Sequence, residues 1–71
     1  MKIEYFKDTD TLYIDIKDTP SVESIEISNG VVLDFDSEGN LTGIEIDNAG
    51  KVANLSKIEA KSLPLNNLIL G

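Results

Sequence analysis

Several residue types that carry enzymatic chemistry are missing from this sequence of 71 residues. It has no cysteine and no histidine, and all six of its basic residues are lysines. Without cysteine and histidine, the chain cannot form disulfides, histidine-based catalytic triads or ordinary zinc sites. Without arginine, and with a net charge of −7, its surface is a poor one for phosphate groups. We therefore expect no direct binding of nucleic acid.

Long apolar runs are also missing. No stretch approaches the ~20 apolar residues of a membrane-spanning helix, and the N-terminus lacks the basic and then apolar pattern of a secretory signal. Together with the lack of cysteine, these features predict a cytoplasmic protein that does not enter a membrane. Residues 1–71 have room for one small domain, and chains of this size often need a metal or a partner for stability.

The acidic residues are concentrated in the first two thirds of the chain. Residues 1–47 contain 12 acidic residues and 3 lysines, whereas residues 48–71 contain one acidic residue, Glu59, and 3 lysines. An acidic surface of this kind favours solubility. The alternative interpretation is a surface complementary to a basic protein.

The clearest structural pattern runs from Val31 to Ile46. Val31, Leu33 and Phe35 recur with period two, the turn Ser37–Asn40 contains a glycine suited to positive φ, and Ile44 and Ile46 alternate in the same way. The two halves are out of phase, and a bulge at Gly43 would correct this. The pattern predicts a hairpin with its apolar side chains on one face.

Three further predictions concern the strands that precede this hairpin. Lys2–Phe6 and Thr11–Ile16 are expected to pair across a four-residue loop. Val22–Ile27 is expected to be a third strand, joined to the next by the three-residue loop 28–30. That loop pairs Ile27 with Val31 and keeps a carboxylate off the apolar face. We expect six buried apolar side chains on one face, with Glu26 and Asp34 exposed on the other: Ile25, Ile27, Leu33, Phe35, Ile44 and Ile46.

The segment after the last strand, residues 53–71 above all, has a weaker pattern. Asp47 or Asn48 can cap a helix, and Val52, Leu55 and Ile58 recur on one helical stripe before the proline at position 64. The whole sequence thus predicts an α+β, mainly β fold. We expect an antiparallel meander of about five strands with a short C-terminal helix or a packed tail over one face.

Four carboxylates are candidate metal ligands. Asp34, Asp36, Glu38 and Glu45 follow the spacing of a calcium loop except for the glutamate at its fifth position. A calcium loop of that kind lies between two helices, whereas these residues lie in a predicted hairpin. We interpret them as acids on an exposed face, with weak calcium binding as the alternative. Nothing predicts the cleft that a catalytic carboxylate pair requires, so we expect no catalytic residues and no cofactor.

Two segments resemble a known prokaryotic family. Tyr5–Ile14 (YFKDTDTLYI) resembles its opening motif, Y-D-x-x-x-D-x-L-Y-I. Asp34–Gly39, Gly43–Ile46 and Ala49 resemble its second motif, D-h-D-x-x-G-x-x-x-G-I-E-I-x-x-A, in which h is apolar. The family is domain of unknown function twenty-two eighty-three, and the resemblance covers residues 1–52. It implies a small β-rich domain without established activity, and some members resemble antitoxins. Phe6 replaces the family's usual aspartate, so no acidic role carries over to that position.

Taken together, these features favour a non-enzymatic protein-binding module, antitoxin-like in one version, that acts through an acidic sheet surface and a sheet edge. The alternatives are a carboxylate-based metal-binding protein or hydrolase, and a self-associating structural domain. Exposed apolar area usually marks an interface. The predicted partner is a second copy or a basic protein, and the predicted interface residues are Phe6, Tyr13, Leu65, Leu68, Ile69 and Leu70.

Overall fold

The computed structural model describes all residues, Met1–Gly71, as one antiparallel sheet followed by a single turn of helix. The mainly β fold with five strands and a short helix is confirmed. The strands and the helix are β1 (Lys2–Phe6), β2 (Thr11–Asp15), β3 (Glu23–Ser28), β4 (Val31–Phe35), β5 (Leu41–Ile46) and α1 (Ala49–Val52).

The strand order in the sheet is β1-β2-β5-β4-β3. Strands β3, β4 and β5 form a meander, but β5 then pairs with β2, so the link over residues 16–22 leads from the middle of the sheet to its far edge. The pairing of β2 with β5 sets Leu12 opposite Ile46 and Ile14 opposite Ile44. These apolar cross-strand pairs stabilise the centre of the sheet. The strand order therefore departs from the chain order at one place.

The predicted registers of the first and last hairpins are confirmed. In the first, Tyr5 lies opposite Leu12 across the four-residue loop. In the last, the pairs run from Val31 with Ile46 to Phe35 with Leu41. Because side chains alternate along each strand, these registers and the pairing of β2 with β5 place most apolar residues of both hairpins on the same face. Phe6 and Val32 lie on the other face.

Thr42 is the extra residue of the bulge in β5, since Phe35 pairs with Leu41 while Asp34 pairs with Gly43. The Thr42 hydroxyl donates to the backbone carbonyl of Asp34 at 3.2 Å. The carbonyl of Thr42 accepts the backbone N–H of Ile16 at 2.8 Å. These bonds satisfy a threonine that is only 2% exposed.

The loop between β3 and β4 differs from the prediction. Ile25 lies opposite Leu33 as expected, but Ser28 rather than Ile27 pairs with Val31, and Ile27 is the extra residue of a bulge. The prediction of a three-residue loop that pairs Ile27 with Val31 is therefore wrong. A bulge before the turn corrects the facing of the strand just as a longer loop would, and Gly30 still has the positive φ, +83°.

The helix α1 ends at Val52, whereas the prediction extends it through Leu55 and Ile58. The predicted length of the helix is therefore wrong. Asn48 precedes it with φ of +53° and makes no side-chain capping bond. The Asn54 side chain accepts hydrogen bonds from the backbone N–H and hydroxyl of Ser56 at 3.2 and 2.6 Å. Such local bonds compete with helix continuation. No helix of the structure has the length and apolar character needed to cross a membrane.

The core of the domain is small. Among the apolar residues only Leu12, 9% exposed, and Ala49, fully covered, are buried. The expected burial of Ile25 and Ile27 is wrong, because they are 43% and 59% exposed. The other four residues of the predicted core are only half-buried, since no second layer covers them. The residues after position 56 are exposed and do not supply that layer.

Candidate functional site on the two faces of the sheet

The alternation of side chains gives the sheet two faces of opposite character. We define the apolar face by Ile3, Tyr5, Leu12, Ile25, Leu33, Phe35, Ile44 and Ile46. We define the acidic face by Glu4, Tyr13, Asp15, Glu26, Asp34 and Glu45. Each face is a candidate binding surface.

The apolar face is covered only in part. Beside β1 and β2 it borders an open groove of about 680 Å³, whose far side is formed by Leu55 and Ile58. Over β3 and β4 there is no helix and no second sheet, and the side chain of Ile25 is exposed. A sheet in water normally buries its apolar face against another layer. The fold therefore lacks the layer that would cover this part of the apolar face.

The acidic face contains a hydrogen-bonded network that spans four strands. The Tyr13 hydroxyl donates to Asp34 Oδ2 at 2.8 Å, and the Ser24 hydroxyl donates to Asp34 Oδ1 at 2.6 Å. The hydrogen bond to Asp34, followed by burial and nearby carboxylates, raises the pKa of Tyr13 to about 12. Tyr13 is therefore a neutral hydrogen-bond donor at physiological pH.

Tyr13 reaches Asp34 because Gly43 lies between them on β5. A Cβ added to Gly43 would collide with the Tyr13 hydroxyl and lie 2.7 Å from its Cζ. Gly43 is buried beneath the ring. A glycine inside a strand often marks such a close approach, and here it allows the aromatic ring to cross the sheet.

Negative charge accumulates on the acidic face with little compensation. The pKa of Glu45 is raised, first by burial and then by the charges of Asp47 and Asp34. Lys2 approaches Glu4 at 3.5 Å, and both side chains are largely exposed. The other ion pairs of the structure involve Glu59 in the C-terminal segment. The acidic face therefore presents a negative potential that attracts cationic groups.

A polar pocket of about 370 Å³ lies at one end of this face, next to the link between β2 and β3. It is lined by Tyr13, Asp15, Lys17 and Thr42, among others. The pocket brings together carboxylates, one lysine and hydroxyl groups. Its apolar lining is a single residue, so it offers little area for an apolar ligand.

The four candidate metal ligands lie in different settings. Asp34 belongs to the network with Tyr13. Asp36 Oδ1 accepts the backbone N–H groups of Glu38 and Asn40, each at 2.9 Å. The bond from Asn40 is the main cause that lowers the pKa of Asp36. Glu45 lies on β5, on the acidic face. No group of three or more acidic, histidine or cysteine side chains converges in the structure. The structure does not bring the four residues together.

The predicted interface residues fall into two groups. Phe6 and Tyr13 lie on the acidic face; Phe6 is 46% exposed, whereas Tyr13 is half-buried and bonded to Asp34. The remaining four are exposed on the C-terminal segment: Leu65, Leu68, Ile69 and Leu70. Their role in an interface stays a prediction.

Asp10 has a structural role in the turn between β1 and β2. It has a positive φ of +54°, which aspartate tolerates better than most residues. Its Oδ1 accepts the Tyr5 hydroxyl at 2.7 Å and the Gly50 N–H at 3.0 Å. Its backbone carbonyl accepts the Ala49 N–H at 2.9 Å. Asp10 thereby ties the first hairpin to α1, and the bond from Tyr5 raises the pKa of that tyrosine.

Comparison with known proteins gives a family but no activity. A family model described as "Protein of unknown function (DUF2283)" matches residues 2–49. An uncharacterized protein of Methanocaldococcus jannaschii, MJ0789, is 33% identical over 69 residues. That match covers 97% of this chain and 55% of the relative, so the chain spans about half the length of the curated protein it resembles. No solved structure matches.

Proposed function

We propose a function for this chain from its surfaces, because it belongs to the DUF2283 family of proteins of unknown function, for which no activity is established. The proposed function is that of a non-enzymatic protein-binding module. The observation that carries the proposal is the uncovered apolar face. Ile25 and Ile27 are exposed on β3, and Leu33 and Phe35 beside them are only half-buried. Exposed apolar area of this kind marks interaction surfaces in folded proteins.

The energetics of a small domain support this function. Full burial of a leucine, isoleucine or phenylalanine contributes ~1.5–3 kcal/mol, and domains of this size are marginally stable even with a complete core. Here Leu12 is the largest apolar side chain that reaches burial. A protein that covers the apolar face would therefore supply stability that the isolated chain lacks.

The uses of the polar residues support a module without catalysis. The carboxylates of Asp10, Asp34 and Asp36 accept hydrogen bonds that hold turns and strands together. A catalytic acid or base needs a free lone pair or proton directed at a substrate. The chain also has no histidine or cysteine to take that role.

An antitoxin-like version of this function uses the acidic face as well. A small basic protein would be drawn to the negative charges of Glu26, Asp34 and Glu45 and then held by apolar contacts. The same charges would weaken the complex at high salt. The lack of cysteine is consistent with a cytoplasmic setting for such a pair.

The experiment compares three forms of the full chain: the wild type, Ile25→Lys and Phe6→Lys. Both substitutions replace an apolar side chain of similar exposure, 43% for Ile25 and 46% for Phe6, by lysine. Only Ile25 lies on the apolar face. Each form serves as bait in affinity capture from native lysate, and each is also examined purified, by native mass spectrometry. We expect a protein, either another copy or a different chain, that the wild type and Phe6→Lys retain and Ile25→Lys loses.

The function is refuted if the purified wild type is monomeric and no captured protein depends on Ile25. Loss of the captured protein in Phe6→Lys but not in Ile25→Lys would transfer the binding site to the acidic face. Circular dichroism of all three forms must show the same strand content for either comparison to be valid.

A further inference from the structure

We infer that the occupant of the apolar face is a second copy of this chain, so that two sheets pack face to face with their acidic faces outward. This inference rests on the proposed function and names its partner. The observations that carry it are the distribution of charge, the condition of the sheet edges and the area that the two surfaces offer.

Charge is segregated between the faces. By the strand registers, Glu23 at the start of β3, opposite Phe35, is the one charged strand residue on the apolar side, and it lies at the margin of the sheet. The remaining acidic residues of the strands point to the other face. Two chains of net charge −7 can therefore meet through uncharged surfaces, with their carboxylates kept apart. A basic partner would find no counter-charges on the apolar face, whereas a second copy needs none.

The edges of the sheet discourage the other way of self-association. Edge strands are protected by charges and bulges. β3 has a bulge at Ile27, and the acidic side chains of Glu23 and Glu26 would repel those of a second β3. β1, the other edge strand, has two charged residues, Lys2 and Glu4. Edge-to-edge extension of the sheet is thus less favourable than face-to-face packing.

The area of the apolar face is too small to form a stable interface by itself. Five strands about 4.8 Å apart, each with about five residues at ~3.3 Å, give a face of roughly 24 by 17 Å. This is about 400 Å², against the ~800 Å² per partner of a standard stable interface. The exposed leucines and isoleucine of residues 63–70 are apolar area on the same chain. We assign them to the second half of the interface, with the groove between Ile3 and Ile58 as the place where a partner's segment fits.

The first test is sedimentation equilibrium of the full chain over a range of micromolar concentrations. The wild type should be a dimer whose dissociation constant stays constant or falls as salt rises, because salt screens the repulsion between two acidic chains. Ile25→Lys should raise the dissociation constant at least about tenfold, equivalent to 1.4 kcal/mol. Phe6 lies on the opposite face, so this inference excludes its predicted role in the interface, and the matched variant Phe6→Lys should leave the dissociation constant unchanged. Ile27→Lys is a second probe of the same face, should Ile25→Lys fail to fold.

A distance measurement separates face-to-face packing from pairing of two β3 edges. The chain contains no cysteine, so Glu26→Cys provides a single site for a nitroxide label. Packed sheets lie ~10 Å apart, and labels on the two outer faces should therefore be separated by roughly 25 Å or more. Pairing of two β3 edges would bring the labels to within about 15 Å, since neighbouring strands are ~4.8 Å apart.

A monomeric wild type, a short label distance, or an unchanged dissociation constant in both Ile25→Lys and Ile27→Lys would each overturn the inference. The proposed function has a separate outcome. If the wild type is monomeric but captures a different protein in a manner that depends on Ile25, the domain binds protein and only the identity of the partner is wrong. Truncation after residue 62 should weaken the dimer; an unchanged dissociation constant would exclude the C-terminal segment from the interface.

Discussion

Replacement of Gly43 by alanine should destabilise the domain through one specific contact, the ring of Tyr13. The added Cβ would lie 2.7 Å from the Tyr13 Cζ and closer still to its hydroxyl. The ring cannot move away without losing its 2.8 Å hydrogen bond to Asp34. The cost of Gly43→Ala should therefore depend on whether Tyr13 is present.

The magnitude follows from two contributions. Forcing an extra methyl group into a packed site costs ~1–3 kcal/mol. Alanine in place of glycine recovers ~0.5–1 kcal/mol, because glycine loses more backbone freedom on folding. When Tyr13 is also changed to alanine, the collision is absent and only the second contribution remains. Gly43→Ala should then be neutral or stabilising by up to ~1 kcal/mol, so the two positions should be coupled by ~1–3 kcal/mol.

Urea denaturation followed by circular dichroism measures the four free energies of unfolding at one fixed protein concentration, since association would otherwise shift them. Gly39→Ala is the matched control. Gly39 has a positive φ of +81° and no atom near its would-be Cβ. Its replacement should cost ~1–2 kcal/mol from backbone strain alone, equally with and without Tyr13. Equal costs of Gly43→Ala in the two backgrounds would refute the contact.

Three further predictions concern pH. Tyr13 has a folded pKa of about 12 against an ordinary 10.0, so its contribution is complete below pH 10 and is lost as the pH rises to about 12; the stability difference between wild type and Tyr13→Phe should shrink over that interval in urea titrations. Glu45 has a raised pKa because burial and nearby carboxylates disfavour its charge, so Glu45→Gln should stabilise at neutral pH, and the gain should disappear as the pH falls through the raised pKa. Asp36 has a pKa below its ordinary 3.8, so its contribution to the free energy of unfolding is present above that value and is lost as the pH falls through the folded pKa. Acid titration of Asp36→Asn, which lacks this carboxylate, should show no such loss.

The strands and most of their registers could be predicted because they depend on local alternation. In the hairpin from Val31 to Ile46, each apolar residue has a partner at the distance that the turn sets. The strand order could not be predicted in the same way. Every strand of this chain has one apolar face, so alternation alone does not decide whether β2 lies beside β3 or β5. That choice depends on how well whole strands match across the sheet.

The residues of the acidic face show a different limit. The predicted bulge at Gly43 is wrong by one residue, because a glycine in a strand indicates either a bulge or a close approach. The structure uses both: the bulge falls on Thr42, and Gly43 accommodates the ring of Tyr13. The second role depends on β2 pairing with β5. Because that pairing was not predicted, the network around Asp34 was not predictable either.

The extent of burial is the property that alternation describes least well. A period of two identifies the face of a strand that avoids water, but it does not identify the layer that covers this face. For this chain the predicted cover is a helix through Leu55 and Ile58 or a packed tail, whereas the helix ends at Val52 and the residues after position 56 are exposed. Ile25 and Ile27 have the same pattern whether they pack under a helix or under another protein. The exposure of these two residues is therefore informative: the sequence encodes a complete apolar face, and the folded chain does not cover it. A partner over this face, as proposed above, would complete the core and add its binding free energy to the stability of the fold.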